Sequence, residues 1–142
     1  MKKLYLGLAI HNHQPGDNFS HVFKKAYDRS YLPLIEVLEA HPAVRISLHY
    51  SGCLLDWMLD NRPEFIERVA ALAKRKQVEI MTGGYYEPIL PMIPDDDKLG
   101  QIAKLSAAIV DRFKYNPTGM WLAERVWEPQ LPKPLAQAGV KW

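Results

Sequence analysis

The sequence predicts an α/β fold built on a parallel sheet, with about four βα units followed by the start of a fifth strand. Short apolar runs that suit buried strands alternate with longer stretches of helical periodicity. Polar residues follow each apolar run, and proline or glycine marks most of the boundaries. A parallel sheet of this kind needs helices on both faces or closure into a barrel.

The first unit is a strand over residues 4–10 followed by a helix. Ser30 is the predicted N-cap of that helix, and Pro33 suits its first turn. His41 precedes Pro42, and the residue before a proline is disfavoured in the α conformation. The helix is therefore expected to end there.

The second unit begins with Val44, Ile46 and Leu48, whose alternation predicts a strand. A short helix over residues 54–59 follows. Pro63 is expected to begin a longer helix, because proline is favoured at the first helical position.

The second half of the chain repeats this pattern with two more strands, a long helix between them, a short last helix and the start of a fifth strand. The strands are expected at residues 78–81, 120–123 and 140–142, and the last helix at 131–138. Asp95 or Asp96 is expected to cap the long helix. Gly139 suits the left-handed position after the last helix.

Composition excludes several classes of partner. The 142 residues are 48% apolar, which suits one compact unit. The 18 basic and 16 acidic residues form no long run of one sign, so we predict neither a nucleic-acid partner nor a membrane anchor. Cys53 is the single cysteine, which rules out an internal disulfide and favours a cytoplasmic location.

Polar side chains gather where the predicted strands end. His11 and His13 follow the first strand, His49 follows the second, and Glu124 follows the fourth. A barrel carries its active site at the carboxyl ends of its strands. We therefore expect these side chains to share one rim.

Glu79 is the most unusual residue within a predicted strand. Val78 and Ile80 share one side, so Glu79 points to the other, into a barrel. A buried carboxylate is costly unless it is paired and hydrogen-bonded. Glu79 is either a structural acid tied to His13 or Arg125, or a carboxylate that orders the site or contacts a substrate.

Glu124 follows the apolar residues Trp121, Leu122 and Ala123, where a carboxylate can act as a nucleophile or an acid. Glycoside cleavage needs two carboxyl groups, about 5 Å apart for retention and about 6.5–9.5 Å apart for inversion. Trp121 could stack against a sugar ring or simply pack in the core.

The two histidines of the first strand allow a second interpretation. His11 and His13 are two residues apart and point to the same side, as metal ligands must. A metal-dependent hydrolase or deacetylase could use them with His49 as a third ligand and Glu79 or Glu124 as a fourth. We predict instead that no metal or cofactor is bound, and that the histidines hydrogen-bond to a ligand and to buried acids.

Three motifs resemble the signatures of glycoside hydrolase family 57. They are HNHQP at residues 11–15, the stretch from Val78 to Gly84, and WLAERVWEP at residues 121–129. Their order and spacing agree with the family. The chain is identified as a member of its α-amylase and 4-α-glucanotransferase type. The resemblance implies that residues 1–142 are the N-terminal portion of a single seven-stranded (β/α) barrel.

The resemblance also implies a retaining reaction on α-1,4-glucans with Glu124 as the nucleophile. His11, His13, Glu79 and Trp121 match positions that contact the sugar or order the nucleophile. The acid/base of the family is an aspartate on a later strand, so the 142-residue chain alone is expected to be nearly inactive. A non-catalytic sugar-binding half-barrel is the third hypothesis. An open sheet edge would also allow a homo-oligomer.

Overall fold

The computed structural model describes residues 2–142 and contains a three-stranded parallel sheet. The strands are β1 (Ala9–Asn12), β2 (Ile46–Tyr50) and β3 (Val78–Met81), in the order β1-β2-β3. In the parallel register His11 lies beside His49, and His49 lies beside Met81. The α/β class and the parallel sheet are confirmed.

Six α-helices connect and cover the strands within the described residues. They are α1 (Ser20–Ala26), α2 (Leu32–Ala40), α3 (Gly52–Asn61), α4 (Pro63–Lys74), α5 (Asp95–Phe113) and α6 (Pro132–Gln137). Pro63 begins α4 and His41 follows the end of α2, as predicted. Gly139 follows α6 with a left-handed φ of 82°, which confirms its predicted place. None of these helices has the length and apolar character required to cross a bilayer.

The predicted N-cap at Ser30 is wrong. A π-helical turn (Tyr27–Tyr31) joins α1 to α2, so Ser30 lies inside a nearly continuous helical segment. Proline lacks an amide hydrogen and its ring crowds the carbonyl four residues earlier. The wider turn just before Pro33 accommodates both effects, so the helix continues where local signals predicted a start.

The predicted caps of the long helix are also wrong. Pro94 occupies the N-cap position of α5, and no side chain caps the helix. Asp95, Asp96 and Asp97 lie in its first turn instead. Carboxylates there favour the helix through its dipole without bonding to the first amides.

The first strand begins later than predicted, and the predicted fourth and fifth strands are not formed within residues 2–142. The first strand begins only at Ala9, and residues 4–6 are exposed. Met120 forms an isolated parallel bridge with Thr82, and residues 140–142 contribute only single backbone hydrogen bonds, such as that from the Met120 amide to the Trp142 carbonyl at 3.0 Å. Extended chain counts as a strand only beside a continuous row of partners, and these segments lack one in the described structure.

The main core lies between the sheet and helices α1 to α5. Leu48, Ile80 and Phe65 are each at most 1% exposed within it. The Gln77 amide, buried just before β3, donates to the backbone carbonyls of Leu38 at 2.6 Å and His41 at 3.1 Å. This contact ties the start of β3 to the end of α2. Because the three strands are parallel, their carboxyl ends lie at one edge of the sheet.

Candidate functional site

A cavity of about 500 Å³ opens at the carboxyl ends of the strands. Four of the five predicted site residues line it, namely His11, His13, Trp121 and Glu124. Its walls are completed by Tyr86, Glu87, Ala123 and Arg125. The structure therefore brings together residues that are more than a hundred positions apart in the sequence.

The histidines are placed by the sheet register. His11 lies in β1 beside His49 in β2, and their Nδ1 atoms are 2.8 Å apart. His49 is fully buried, whereas the side chain of His13 is 40% exposed and faces the cavity. Since ring nitrogens this close share one proton, one of the two rings donates to the other.

The parallel bridge between Met120 and Thr82 positions the neighbouring Trp121. The Trp121 amide donates to the Thr82 carbonyl at 2.8 Å, and the Thr82 amide donates to the Gly119 carbonyl at 2.9 Å. The indole then stacks on the His11 ring, with 4.6 Å between centroids and 11° between planes. The result is a flat aromatic wall beside the cavity.

Glu124 lies on the open side of the cavity. It belongs to a single 3₁₀ turn, Ala123–Arg125, and both Glu124 and Arg125 have left-handed φ angles, 57° and 55°. Such a conformation costs a non-glycine residue roughly 1–2 kcal/mol. Within residues 2–142 the Glu124 carboxylate forms no hydrogen bond or ion pair. An exposed carboxylate held on a strained turn is available to an incoming ligand.

Glu87 is the site residue that sequence reasoning missed. Its side chain is only 10% exposed, and its Oε2 atom contacts His13 Nδ1. Its Oε1 atom lies 3.3 Å from His11 Nε2 and 3.9 Å from His49 Nδ1, but it is buried and accepts no hydrogen bond. Glu87 also has a left-handed φ of 53°. The sequence offered one signal, namely its position just after Tyr85 and Tyr86 beyond β3.

Burial dominates the electrostatics of this cluster. Burial, reinforced by the negative charge of Glu124, raises the pKa of Glu87 to about 7. Burial also lowers the pKa of His11 to about 4 and that of His49 to about 3, with the neighbouring imidazoles adding to the effect. The pKa of His13 is lowered mainly by burial as well. Each shift favours the neutral form of the group concerned.

Glu79 does not join this cavity, and its expected pairing with His13 or Arg125 is wrong. It accepts a hydrogen bond from Ser47 Oγ at 3.1 Å and lines a separate cavity of about 360 Å³. Ser47 and Glu79 are paired two residues before His49 and Met81. At about 3.3 Å per residue, Glu79 therefore lies roughly 6–7 Å below the rim.

The donor atoms of His11, His13 and Glu87 lie within 4.8 Å of one another, which is compact enough for a metal ion. His49 is not part of this group, so the structure does not support it as the third ligand. Its Nδ1 instead faces His11 Nδ1. His13 Nδ1 contacts Glu87, whereas the contact between His11 and His49 joins their Nδ1 atoms and leaves His11 Nε2 facing Glu87 Oε1 at 3.3 Å.

Comparison with known proteins places this cavity in a family context. The model of glycosyl hydrolase family 57 matches residues 7–142. The chain is 52% identical over 141 residues to alpha-amylase 1 of Dictyoglomus thermophilum, which covers 99% of the chain and 21% of that protein. It is 43% identical over 142 residues to the 4-alpha-glucanotransferase of Thermococcus litoralis, covering 100% of the chain and 21% of that protein.

Solved structures agree on the fold. The crystal structure of 4-alpha-glucanotransferase from Thermococcus litoralis superposes with a TM-score of 0.91 at 45% identity, over 94% of this chain and 21% of that one. A family 4 carbohydrate esterase from Streptomyces lividans superposes with a TM-score of 0.68 at 14% identity, over 96% of this chain and 60% of that one, which is a likeness of fold alone. The chain spans about a fifth of the length of the curated relatives that it matches.

Proposed function

The chain belongs to glycosyl hydrolase family 57, and we propose that it carries the nucleophile of a retaining site that acts on α-1,4-glucans. Glu124 is the proposed nucleophile. The observation that supports this most is the convergence of Glu124, His11, His13 and Trp121 on one cavity at the carboxyl ends of the strands. We further propose that residues 1–142 are the N-terminal portion of a seven-stranded barrel domain.

In this proposal the Glu124 carboxylate attacks the anomeric carbon and forms a glycosyl-enzyme intermediate. The bond to the leaving sugar oxygen breaks, and that oxygen takes a proton from a second acid. Resemblance to the family implies that this acid is an aspartate on a later strand. Water then releases the glycosyl unit in hydrolysis, whereas a sugar hydroxyl takes it in transfer, which corresponds to α-amylase and 4-α-glucanotransferase activity respectively.

The remaining predicted residues bind the sugar or support the site. His13 presents a ring nitrogen to the cavity, and Trp121 offers an aromatic face whose orientation is fixed by His11. Glu79 contributes indirectly, because it holds Ser47 and the sheet in the layer below the rim. A site with one apolar wall and a few converging polar groups suits a carbohydrate ring.

The test is the Glu124→Gln variant of the full-length protein, with activity and maltooligosaccharide binding measured together. Removing a nucleophile costs more than about 10³-fold in kcat, whereas the isosteric amide should leave sugar affinity nearly unchanged. Glu128→Gln is the matched control, since Glu128 is an exposed acid of the same segment outside the cavity lining.

Undiminished turnover by Glu124→Gln would refute the assignment. Activity that required stoichiometric zinc would favour the metal-dependent hydrolase instead. Sugar binding without any turnover by the wild-type protein would favour a binding module.

A further inference from the structure

Glu87 has no part in the chemistry proposed above, although its side chain is nearly buried and contacts His11 and His13 in the cavity. Its carboxyl group is nearly buried, contacts His13 Nδ1 through one oxygen and leaves the other oxygen buried without a hydrogen bond. Buried carboxylates are normally stabilised by several donors, because losing hydration is costly. Glu87 has the surroundings of a neutral acid.

The charges around Glu87 support this reading. Within residues 2–142 no lysine or arginine forms an ion pair with it, and its only such contacts are imidazoles. Glu124 lines the same cavity and its negative charge opposes ionisation of Glu87, as burial does. Two carboxyl groups that share a site do not both ionise readily.

The protonation state of Glu87 determines what His13 offers to a ligand. A neutral Glu87 donates its O–H to His13 Nδ1, so the single imidazole proton of His13 must lie on Nε2. An ionised Glu87 would instead accept a hydrogen bond from Nδ1–H and leave Nε2 as an acceptor without a proton. Because the His13 ring is 40% exposed and lines the cavity, this choice changes the face that a sugar hydroxyl meets.

We infer that Glu87 is a positioning residue that works as a neutral carboxylic acid, donating its proton to His13 Nδ1 so that His13 presents an Nε2–H donor to the bound sugar. The inference rests on the proposed function, since it names how that same site holds its substrate.

Other titratable groups also face Glu87. They are His11 and His13 from β1 and the loop after it, His49 from β2, Cys53 from α3, Tyr85 and Tyr86 from its own loop, and Glu124 with Arg125 from the 3₁₀ turn. The imidazoles are held neutral by burial, so Glu124 is the charge that opposes ionisation of Glu87 most directly.

The experiment compares Glu87→Gln with Glu87→Ala in the full-length protein. A glutamine amide donates to His13 Nδ1 as a neutral acid does, so its kcat should stay within the same order of magnitude. Wild-type activity should fall as the pH rises through about 7, where Glu87 ionises, and the glutamine variant should lose that limb. Alanine removes the donor and should lower kcat by about 10²-fold, the cost of a misplaced group.

Two outcomes would overturn the inference. One is a glutamine variant as impaired as the alanine variant, since that would mean that the carboxylate form is needed. The other is an alanine variant with wild-type kcat, since that would remove any role in positioning.

A second measurement does not depend on activity. Histidine-selective ¹⁵N spectra should show His13 protonated on Nε2 and not on Nδ1 in the wild type and in Glu87→Gln. An Nδ1–H tautomer or a doubly protonated His13 below pH 7, where Glu87 remains neutral, would contradict the inference. If the wild-type protein proves inactive on α-glucans, the proposed function fails, but these spectra still decide the state of Glu87.

Discussion

Replacing Gly83 by alanine is expected to destabilise the protein by pressing a methyl group against His49. A Cβ atom at Gly83 would lie 2.8 Å from His49 Nε2 and 3.1 Å from the Trp121 carbonyl oxygen. His49 is fully buried, and its other ring nitrogen is 2.8 Å from His11. The ring therefore cannot retreat without moving His11 out of its stack on Trp121.

The expected magnitude follows from that geometry. Overpacking a rigid interior site costs about 1–3 kcal/mol. For a chain of 142 residues, each kcal/mol lowers the Tm by roughly 3 °C, so the Tm should fall by about 3–9 °C. Gly83 has no positive φ, so the effect is steric and does not come from backbone strain.

Gly100→Ala is the matched control for thermal unfolding followed by circular dichroism. Gly100 lies inside α5, and a Cβ atom there would meet nothing within 4 Å. Alanine should stabilise that helix by about 0.5–1 kcal/mol. The same substitution should thus lower the Tm at Gly83 and raise it at Gly100. Equal or higher stability of Gly83→Ala would refute the packing of His49 described above.

Two further predictions concern stability. Gln77→Leu should cost about 2 kcal/mol in urea unfolding, because two backbone carbonyls at the end of α2 lose their buried donor, whereas Gln137→Leu on the surface should change little. The pKa values of His11 and His49 are lowered in the folded protein, so both residues stabilise the fold above about pH 6.5. This stabilisation is lost as the pH falls toward 4 for His11 and toward 3 for His49. The pKa of Glu87 is raised, so its contribution to the free energy of unfolding has the opposite sign and is lost as the pH rises from 4.5 to 7. Glu87→Gln removes this loss, so the stability of the variant should rise more steeply with pH over that range. Identical pH profiles of the wild type and Glu87→Gln over that range would contradict the direction given for Glu87, and a Glu87→Gln profile that stays flat below pH 6.5 would contradict the direction given for the histidines.

Local sequence signals predicted correctly the elements whose structure depends mainly on their own residues. Three of the four residues of strand Val78–Met81 are apolar and buried, and Pro63 marks the start of α4, so both elements were predicted correctly. The π-helical turn at Tyr27–Tyr31 was not, because a cap signal such as Ser30 is overridden when the chain on both sides is already helical. Residues 4–6 are apolar but unpaired, and pairing is not a property of one segment.

The sequence predicted only part of the candidate site, because the rest depends on contacts between distant segments. Periodicity gave the face on which Glu79 lies, but not its depth below the rim, which depends on where β3 ends. Glu87 reaches His13 only because the loop after β3 folds back over β1, a contact between residues 74 positions apart. No local pattern encodes such an approach. The motifs with His11 and Glu124 were found because their residue types are unusual at strand ends.

The most direct test of the account is to trap the glycosyl-enzyme and locate the bond. The full-length protein would be incubated with a fluorinated α-glucosyl fluoride that slows the second step, digested, and mapped by mass spectrometry. The account predicts that the peptide containing Glu124 gains the mass of one fluorinated hexosyl unit, and that Glu124→Gln gains none. A label on Glu87, or an active enzyme that carries no label on this chain, would contradict it.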